Sequence, residues 1–211
     1  NASNQTADDV NFHGVFITSA SSNIVVEDLE VTACMAHCVF ADGASDIVTV
    51  RGCYLHDSGL LTTISSRAVW GNGVTNMLIV NNTADTINGF SYTINNSSSH
   101  CRIIGNHSEA PIRFDGIIIH TSDHILIANN TINNSEDSGI VIELSNYCVI
   151  AGNIISDSEV TGINIAGCTF CTIVGNTVKD SSQRTNNTFE SKKRMPTKKI
   201  MELSVMKLLT L

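Results

Sequence analysis

Apolar and polar residues alternate along this chain, and from Gly116 to Asn176 the alternation repeats three times. The first copy runs Gly116-Ile117-Ile118-Ile119 and then Ile125-Leu126-Ile127-Ala128-Asn129-Asn130. The second begins at Gly139 and closes on Cys148-Val149-Ile150-Ala151-Gly152-Asn153; the third begins at Gly162 and closes on Asn176. The glycines are 23 residues apart, and each terminal asparagine follows its glycine by 14. A fixed period of this size marks a repeat architecture. Alternation within each copy (Ile117, Ile119; Ile125, Ile127) is the period of a strand with one buried face. No apolar spacing in the repeats has the 3.6-residue period of a helix.

Short strands joined by Asn, Gly and Ser turns predict an all-β fold: a right-handed, single-stranded parallel β-helix, or β-solenoid, of about seven turns. Successive coils lie about 4.8 Å apart, so residues one repeat apart form columns. Asn82, Asn106, Asn130, Asn153 and Asn176, spaced by 24, 24, 23 and 23, predict an internal hydrogen-bonded ladder. Asparagine also suits a corner that needs left-handed backbone. Cys53 takes the ladder position in the second turn and Leu29 in the first. Cys101, Cys148 and Cys171 share an inward column with Ile24, Val48, Met77 and Ile125, as small buried hydrophobes.

The turns begin at Phe12, Met35, Arg67, Gly89, Gly116, Gly139 and Gly162. A longer loop spans 59–66, and three extra residues are expected in 95–100. The pattern stops after Ser181. This divides the chain into a β-helix domain, 1–183, and a C-terminal tail, 184–211, in which residues 200–209 predict a short amphipathic capping helix or an unstructured segment.

Charge changes the picture of partners. Residues 1–183 carry 5 Lys/Arg against 18 Asp/Glu, and residues 184–211 carry 7 against 2, which gives the net −8. An acidic body argues against nucleic acid, whose phosphates need clustered cations. No run of 18 apolar residues offers a membrane span. Seven cysteines leave an odd thiol, with a Cys34–Cys38 or Cys34–Cys53 disulfide as open alternatives. Cys168 and Cys171 form a lone CxxC, better read as packing at a turn than as a metal half-site.

The repeat form Gly-Ile-x-Ile … Ile-x-Ile-x-x-Asn-x-Ile-x-x-Ser, over residues 12–182, resembles the pectate-lyase-like superfamily of parallel β-helix proteins. That group includes polysaccharide lyases, uronan C5-epimerases, glycoside hydrolases, NosD-like proteins and phage tailspikes. The resemblance implies the fold and an extracellular, periplasmic or virion-associated location. The Asp-Pro-His-Asp motif of mannuronan epimerases is missing, as are the paired aspartates and Arg-Ile-Lys of polygalacturonase-type hydrolases, so no catalytic residue is carried over.

Chemistry is therefore sought in the outward columns of the strand that follows the repeat glycine. One reads His13, His37, Arg67, Asn88, Asp115; the next Phe16, Phe40, Trp70, Ser91; the third Asp42, Asn72, Thr93, His120, Glu143. Aromatic rings beside hydrogen-bonding groups suit a sugar best, with apolar faces and hydroxyl edges; the alternatives are a subunit contact, as in a homotrimer, or cover by another segment of the chain. Elimination or epimerisation of a uronic acid needs a base, a cation on the carboxylate and an acid. The catalytic candidates are His37, Arg67, Asp115 and His120, with Phe16, Phe40, Trp70, Asp42, Asn72 and Glu143 as substrate contacts. Arg67 beside His37 supplies the cation and base types, and Asp115 suits either holding Ca2+, the one cofactor candidate, or orienting an arginine. The expected function is a polysaccharide lyase or uronan C5-epimerase acting on an acidic polysaccharide, the alternative a non-catalytic glycan-binding or structural solenoid such as a tailspike or adhesin.

Overall fold

A computed structural model describes residues 13–43, 45–59 and 65–182. The predicted C-terminal helix and most of the 59–66 loop lie outside the described residues. Within them the chain forms twenty-one short strands, β1 to β21 in chain order, and no helix. Strands are dealt in rotation to three seven-stranded parallel sheets, so each sheet receives one strand per coil. The result is the seven-turn parallel β-helix that the period predicts, wound right-handed as parallel crossovers are.

Sheet A holds β1 (Val15–Ile17), β4 (Val39–Asp42), β7 (Ser66–Asn72), β10 (Gly89–Asn95), β13 (Ile117–His120), β16 (Ile140–Glu143) and β19 (Ile163–Ala166). Sheet B runs from β2 (Ser22–Glu27) to β20 (Thr172–Val174), and sheet C from β3 (Glu30–Thr32) through β6 (Tyr54–Ser58) to β21 (Thr177–Lys179). The core is a set of aliphatic columns such as Ile79–Ile103–Ile127–Ile150, all fully buried. The cysteine column is present, with Val48, Met77, Cys101, Ile125 and Cys148 buried in series, while Ile24 and Cys171 at its two ends are only half-buried. One aromatic interrupts the aliphatic columns of sheet A: Tyr92, between Val69 and Ile117, is fully buried, and its hydroxyl shares its proton between the carbonyls of Asn82 and His107 at 3.1 and 2.9 Å.

The asparagine ladder exists rung by rung. Each Nδ2 donates to the Oδ1 of the next asparagine: Asn82 to Asn106 and Asn106 to Asn130 at 3.0 Å, Asn130 to Asn153 and Asn153 to Asn176 at 2.9 Å. Each Oδ1 also accepts the backbone N–H of the preceding rung, and Cys53 N–H enters the ladder at Asn82. The left-handed backbone sits one residue earlier than expected. Gly52, Asn81, Gly105, Asn129, Gly152 and Gly175 have φ between 54° and 66°, so the bend precedes the ladder residue.

The repeat glycine has a different reason. A Cβ on Gly116 would lie 2.4 Å from Ile132 Cγ2 and 2.8 Å from the Gly139 carbonyl oxygen, closer than atoms can approach. Sheet C therefore packs directly against the start of each sheet A strand. In turn four this narrow slot belongs to Ser91, not Gly89: Tyr92 pairs with Ile117 as Val69 does with Tyr92. The predicted columns are thus displaced by two residues in that turn. The 95–100 loop also carries one extra residue rather than three: Asn72 to Thr75 is three steps and the matching Asn95 to Ser99 is four. All seven cysteines are free thiols, so neither disulfide alternative forms.

Asn130→Ala removes both partners from a fully buried rung and orphans the Ile103 carbonyl and the Asn106 N–H. It should cost about 2–4 kcal/mol in denaturant-induced unfolding, whereas Thr131→Ala, on the outer face beside it, should stay within about 0.5 kcal/mol.

Candidate functional site

Sheet A presents three outward rows, set by the strand register. The first reads His13, His37, Arg67, Phe90, Asp115; the second Phe16, Phe40, Trp70, Thr93, Ile118; the third Asp42, Asn72, Asn95, His120, Glu143. Every sequence-predicted site residue lies on this face. Phe90 and Asn95 were missed, because the slip at Gly89 placed Asn88 and Thr93 there instead.

The rings close on one another rather than standing in water. Phe40 stacks between Phe16 and Trp70 at 5.2 and 4.3 Å with interplanar angles of 13° and 16°. Phe40 is left only 8% exposed, while Phe16, at the end of the stack, is 43% exposed. In the first row His13 stacks on His37 at 4.9 Å, and the Trp70 ring meets His37 edge-on, also at 4.9 Å. Further along, Phe90 stacks on Phe114 at 4.6 Å. Such pairs add to the gain from area burial alone.

Burial decides the charge states. His37 is buried, and its Nδ1 accepts the Arg67 backbone N–H at 3.1 Å, which fixes the tautomer with the proton on Nε2. Burial, then the Arg67 cation, then His13 drive its pKa down to about 2, so it is neutral at any working pH. A histidine this weakly basic, with one nitrogen engaged, positions β7 and the ring stack. His13 is lowered too, by burial and against the pull of Asp42.

Arg67 is the cation of the face. Its guanidinium carbon lies 4.3 Å from the Trp70 ring centroid and 5.1 Å from that of Phe90, and Nη1 donates to the Ser65 carbonyl at 2.9 Å. Burial lowers its pKa to about 10, which still leaves it charged at neutrality. Its Nε is buried without a hydrogen-bond partner, and no carboxylate pairs with it among the described residues. Among the described residues the guanidinium is therefore unneutralised, held between two aromatic faces.

Asp115, two coils further along the first row, is 7% exposed and accepts the Ser138 N–H at 2.9 Å. Burial raises its pKa to about 7, with Asp137 and Glu143 adding to the rise and the Ser138 N–H opposing it. The third row is a band of amides and acids: Asn72 donates to Asp42 at 2.7 Å, and Trp70 Nε1 donates to Asn95 at 2.9 Å. His120 and Glu143 follow as register neighbours. The structure therefore brings His37 and Arg67 together. It leaves Asp115 about 10 Å along the axis, at two inter-strand spacings, and His120 on the opposite edge of the sheet. No group of three or more His, Cys, Asp or Glu is arranged to hold a metal among the described residues.

Two features lie off this face. On sheet C, His56 is held by Asp57 at 2.8 Å and Glu30 at 3.1 Å. At the corner between sheets A and B, His100, His124, Tyr147 and Phe170 stack in a second ladder at 4.9, 4.9 and 5.1 Å. The signal for it was present: these residues are spaced by 24, 23 and 23. Tyr147 and Phe170 in it are exposed, Phe170 to 74%.

A family model described as "Right handed beta helix region" matches residues 1–192. The chain belongs to that family. No curated protein matches the sequence. Among solved structures, the A-module of mannuronan C-5 epimerase AlgE4 from Azotobacter vinelandii is similar with a TM-score of 0.55 at 14% identity, over 78% of this chain and 55% of that one. The AlgE6 A-module from the same organism gives 0.46 at 13%, over 79% and 62%. The enzymatically active domain of bacteriophage CBA120 tailspike protein 2 gives 0.43 at 12%, over 80% and 33%. At these identities the likeness is one of fold, and the chain spans about half the length of the first of these β-helices. No helix among the described residues is long and apolar enough to cross a membrane.

Asp115 generates a stability prediction with a definite sign. Its folded pKa of about 7 stands above the ordinary 3.8, so the folded state holds a proton that the unfolded state releases between those values. The contribution of Asp115 is most favourable below pH 4 and is lost as pH rises towards and through 7. Asp115→Asn keeps an acceptor for Ser138 and should raise stability at neutral pH by on the order of 1–3 kcal/mol. It should also flatten the melting temperature between pH 4 and 7, measured by circular dichroism.

Proposed function

We propose that this β-helix acts on carbohydrate and receives an acidic polysaccharide along the outward face of sheet A. The observation that carries this reading is Arg67, a charged, aromatic-clamped guanidinium with a buried unpartnered Nε. In a body with 18 acids against 5 bases, such a cation supplies a focused site for a carboxylate. Phe16 and Trp70 offer apolar surface to sugar rings. Asp42, Asn72, Asn95, His120 and Glu143 line the opposite edge with groups that pair with hydroxyls.

The finer activity we infer is that of a polysaccharide lyase or uronan C5-epimerase. Asp115 carries and releases a proton near neutrality, which is what a group that removes or returns the proton alpha to a uronate carboxylate must do. Arg67 anchors one carboxylate, and Asp115, two coils further along the same row, meets the proton chemistry further along the same polysaccharide. Asp115 is then the acid/base group, His120 a hydroxyl contact or the opposing acid, and His37 the support that aligns Arg67. An extracellular, periplasmic or virion-associated setting fits such a substrate. The mannuronan C-5 epimerase module that shares the fold carries a name consistent with that chemistry.

A second reading has its own observation. His37, Arg67, Asp115 and His120 do not converge on one point, which suits a non-catalytic solenoid that holds a glycan or packs against two copies of itself.

Incubation with alginate, pectate and glycosaminoglycans distinguishes the two. Lyase turnover appears as ultraviolet absorbance of unsaturated uronates and epimerisation as a change in the NMR spectrum of the polymer. Asp115→Asn should abolish turnover in a folded protein. Arg67→Ala should weaken KM or binding roughly 10- to 100-fold, the loss of one charge-assisted pair. Binding without turnover on all three polymers supports the second reading, and unchanged activity in both variants removes this face as the site.

A further inference from the structure

Sheet B turns an apolar face outward, and this feature is independent of the carbohydrate reading. From β8 (Leu78–Val80) to β20 each of its strands has one inward residue, and Ile79, Ile103, Ile127 and Ile150 fill that position fully buried. The outward row before it reads Leu78, Arg102, Leu126, Val149, Thr172, and the outward row after it Val80, Ile104, Ala128, Ala151, Val174. An outward row of sheet C, by contrast, reads His56, Asp85, Glu109, Asn133, Ser156. Water favours the sheet C pattern. A parallel sheet with both faces apolar is ordinarily covered on both.

Charge singles out the same surface. None of the 18 acids of residues 1–183 lies in 76–81, 100–105, 124–129, 147–152 or 170–175, the stretches that form this face and its two corners in coils three to seven. Asp42 and Glu143 stand on sheet A, and Asp85 and Glu109 on sheet C. A second copy of so acidic a body is therefore repelled least at sheet B. The basic residues of 184–211 find no carboxylate there to attract them. Size and shape also suit a second copy. The face spans five coils of about 4.8 Å and six residues of about 3.3 Å, so two copies bury about 1,000 Å² in all, the size at which a specific interface begins. The larger first row borders the exposed rings of Tyr147 and Phe170, and the second row, alanine in coils five and six, borders Gly152 and Gly175.

We infer that two copies of this chain associate through sheet B, side by side, about a two-fold axis parallel to the solenoid axis. Such an axis sets the first row of each copy against the second row of the other, at the same coil. Leu126 then meets Ala128 and Val149 meets Ala151. The rings of Tyr147 and Phe170 meet the glycine corner, so large groups face small ones on both sides of the axis. Arg102, the one Lys, Arg, Asp or Glu of the patch, meets Ile104. Sheet A, on another side of the solenoid, stays uncovered.

Sedimentation velocity of the intact chain over a wide concentration range tests this, and the expected result is a reversible dimer. Leu126→Arg, a residue that this row already holds at Arg102, should raise the dissociation constant roughly 100-fold by burying an unpaired charge opposite Ala128. Leu126→Thr, matching Thr172 in the same row, should raise it roughly 10-fold. Both should keep the circular dichroism of the parent, since the position faces outward. The orientation has its own test. Ile104→Glu places a carboxylate opposite Arg102 of the second copy and should preserve the dimer, whereas Ala128→Glu, with no cation opposite, should dissociate it. The inference is overturned if the intact chain is monomeric throughout, even if removal of residues 184–211 then lets it dimerise, since that segment would be the occupant. It is equally overturned if the assembly is a trimer, if the dimer survives Leu126→Arg, or if Ile104→Glu and Ala128→Glu dissociate it alike.

Discussion

Coil-to-coil hydrogen bonding in strict register is the constraint on which everything else in this molecule depends. Backbone N–H groups along the strands reach carbonyls one coil away, and at the corners they reach side chains of a neighbouring coil, so a residue cannot shift without taking its neighbours above and below with it. Inward positions must then be filled by similar side chains in every coil, which yields the aliphatic columns and the asparagine ladder. Outward positions are stacked just as strictly but are free in chemistry. The same rule that builds the core therefore lines up His37, Arg67 and Asp115 on one edge and Asn72, His120 and Glu143 on the other.

The parts of the fold that recur are legible in the sequence, because a period exposes every residue that the stacking repeats. The ladder asparagines, the cysteine column and the seven coils can all be read in this way. The reading fails where a different residue does the repeated job. Ser91 fills the glycine slot of turn four, while the real glycine two residues earlier draws the alignment to itself. The aromatic ladder from His100 to Phe170 has the right spacing but mixed residue types, so in the sequence it passes for turn residues. The site face is legible, but its electrostatics are not, since burial of His37 depends on rings contributed by adjacent coils.

That burial changes what the face can do. A histidine that looks in the sequence like a base becomes a neutral support, and the arginine beside it becomes a charge without a counterion among the described residues. Asp115 moves in the other direction: removed from water, it holds its proton into the neutral range. A cation and a titrating acid therefore share one edge of sheet A, opposite a row of amides and acids, and it is on this arrangement that the proposed uronic-acid substrate rests.

The single tryptophan of the chain, Trp70, is the ring on which Arg67 rests, so its emission reports directly on that guanidinium. Titration of the intact protein with an acidic oligosaccharide, and with the same oligosaccharide after reduction of its carboxylates to alcohols, is the most direct measurement. A carboxylate docking on Arg67 predicts a saturable change in Trp70 fluorescence with the acidic ligand that is lost or greatly weakened with the reduced one. Equal responses to both ligands, or no response to either, would contradict it.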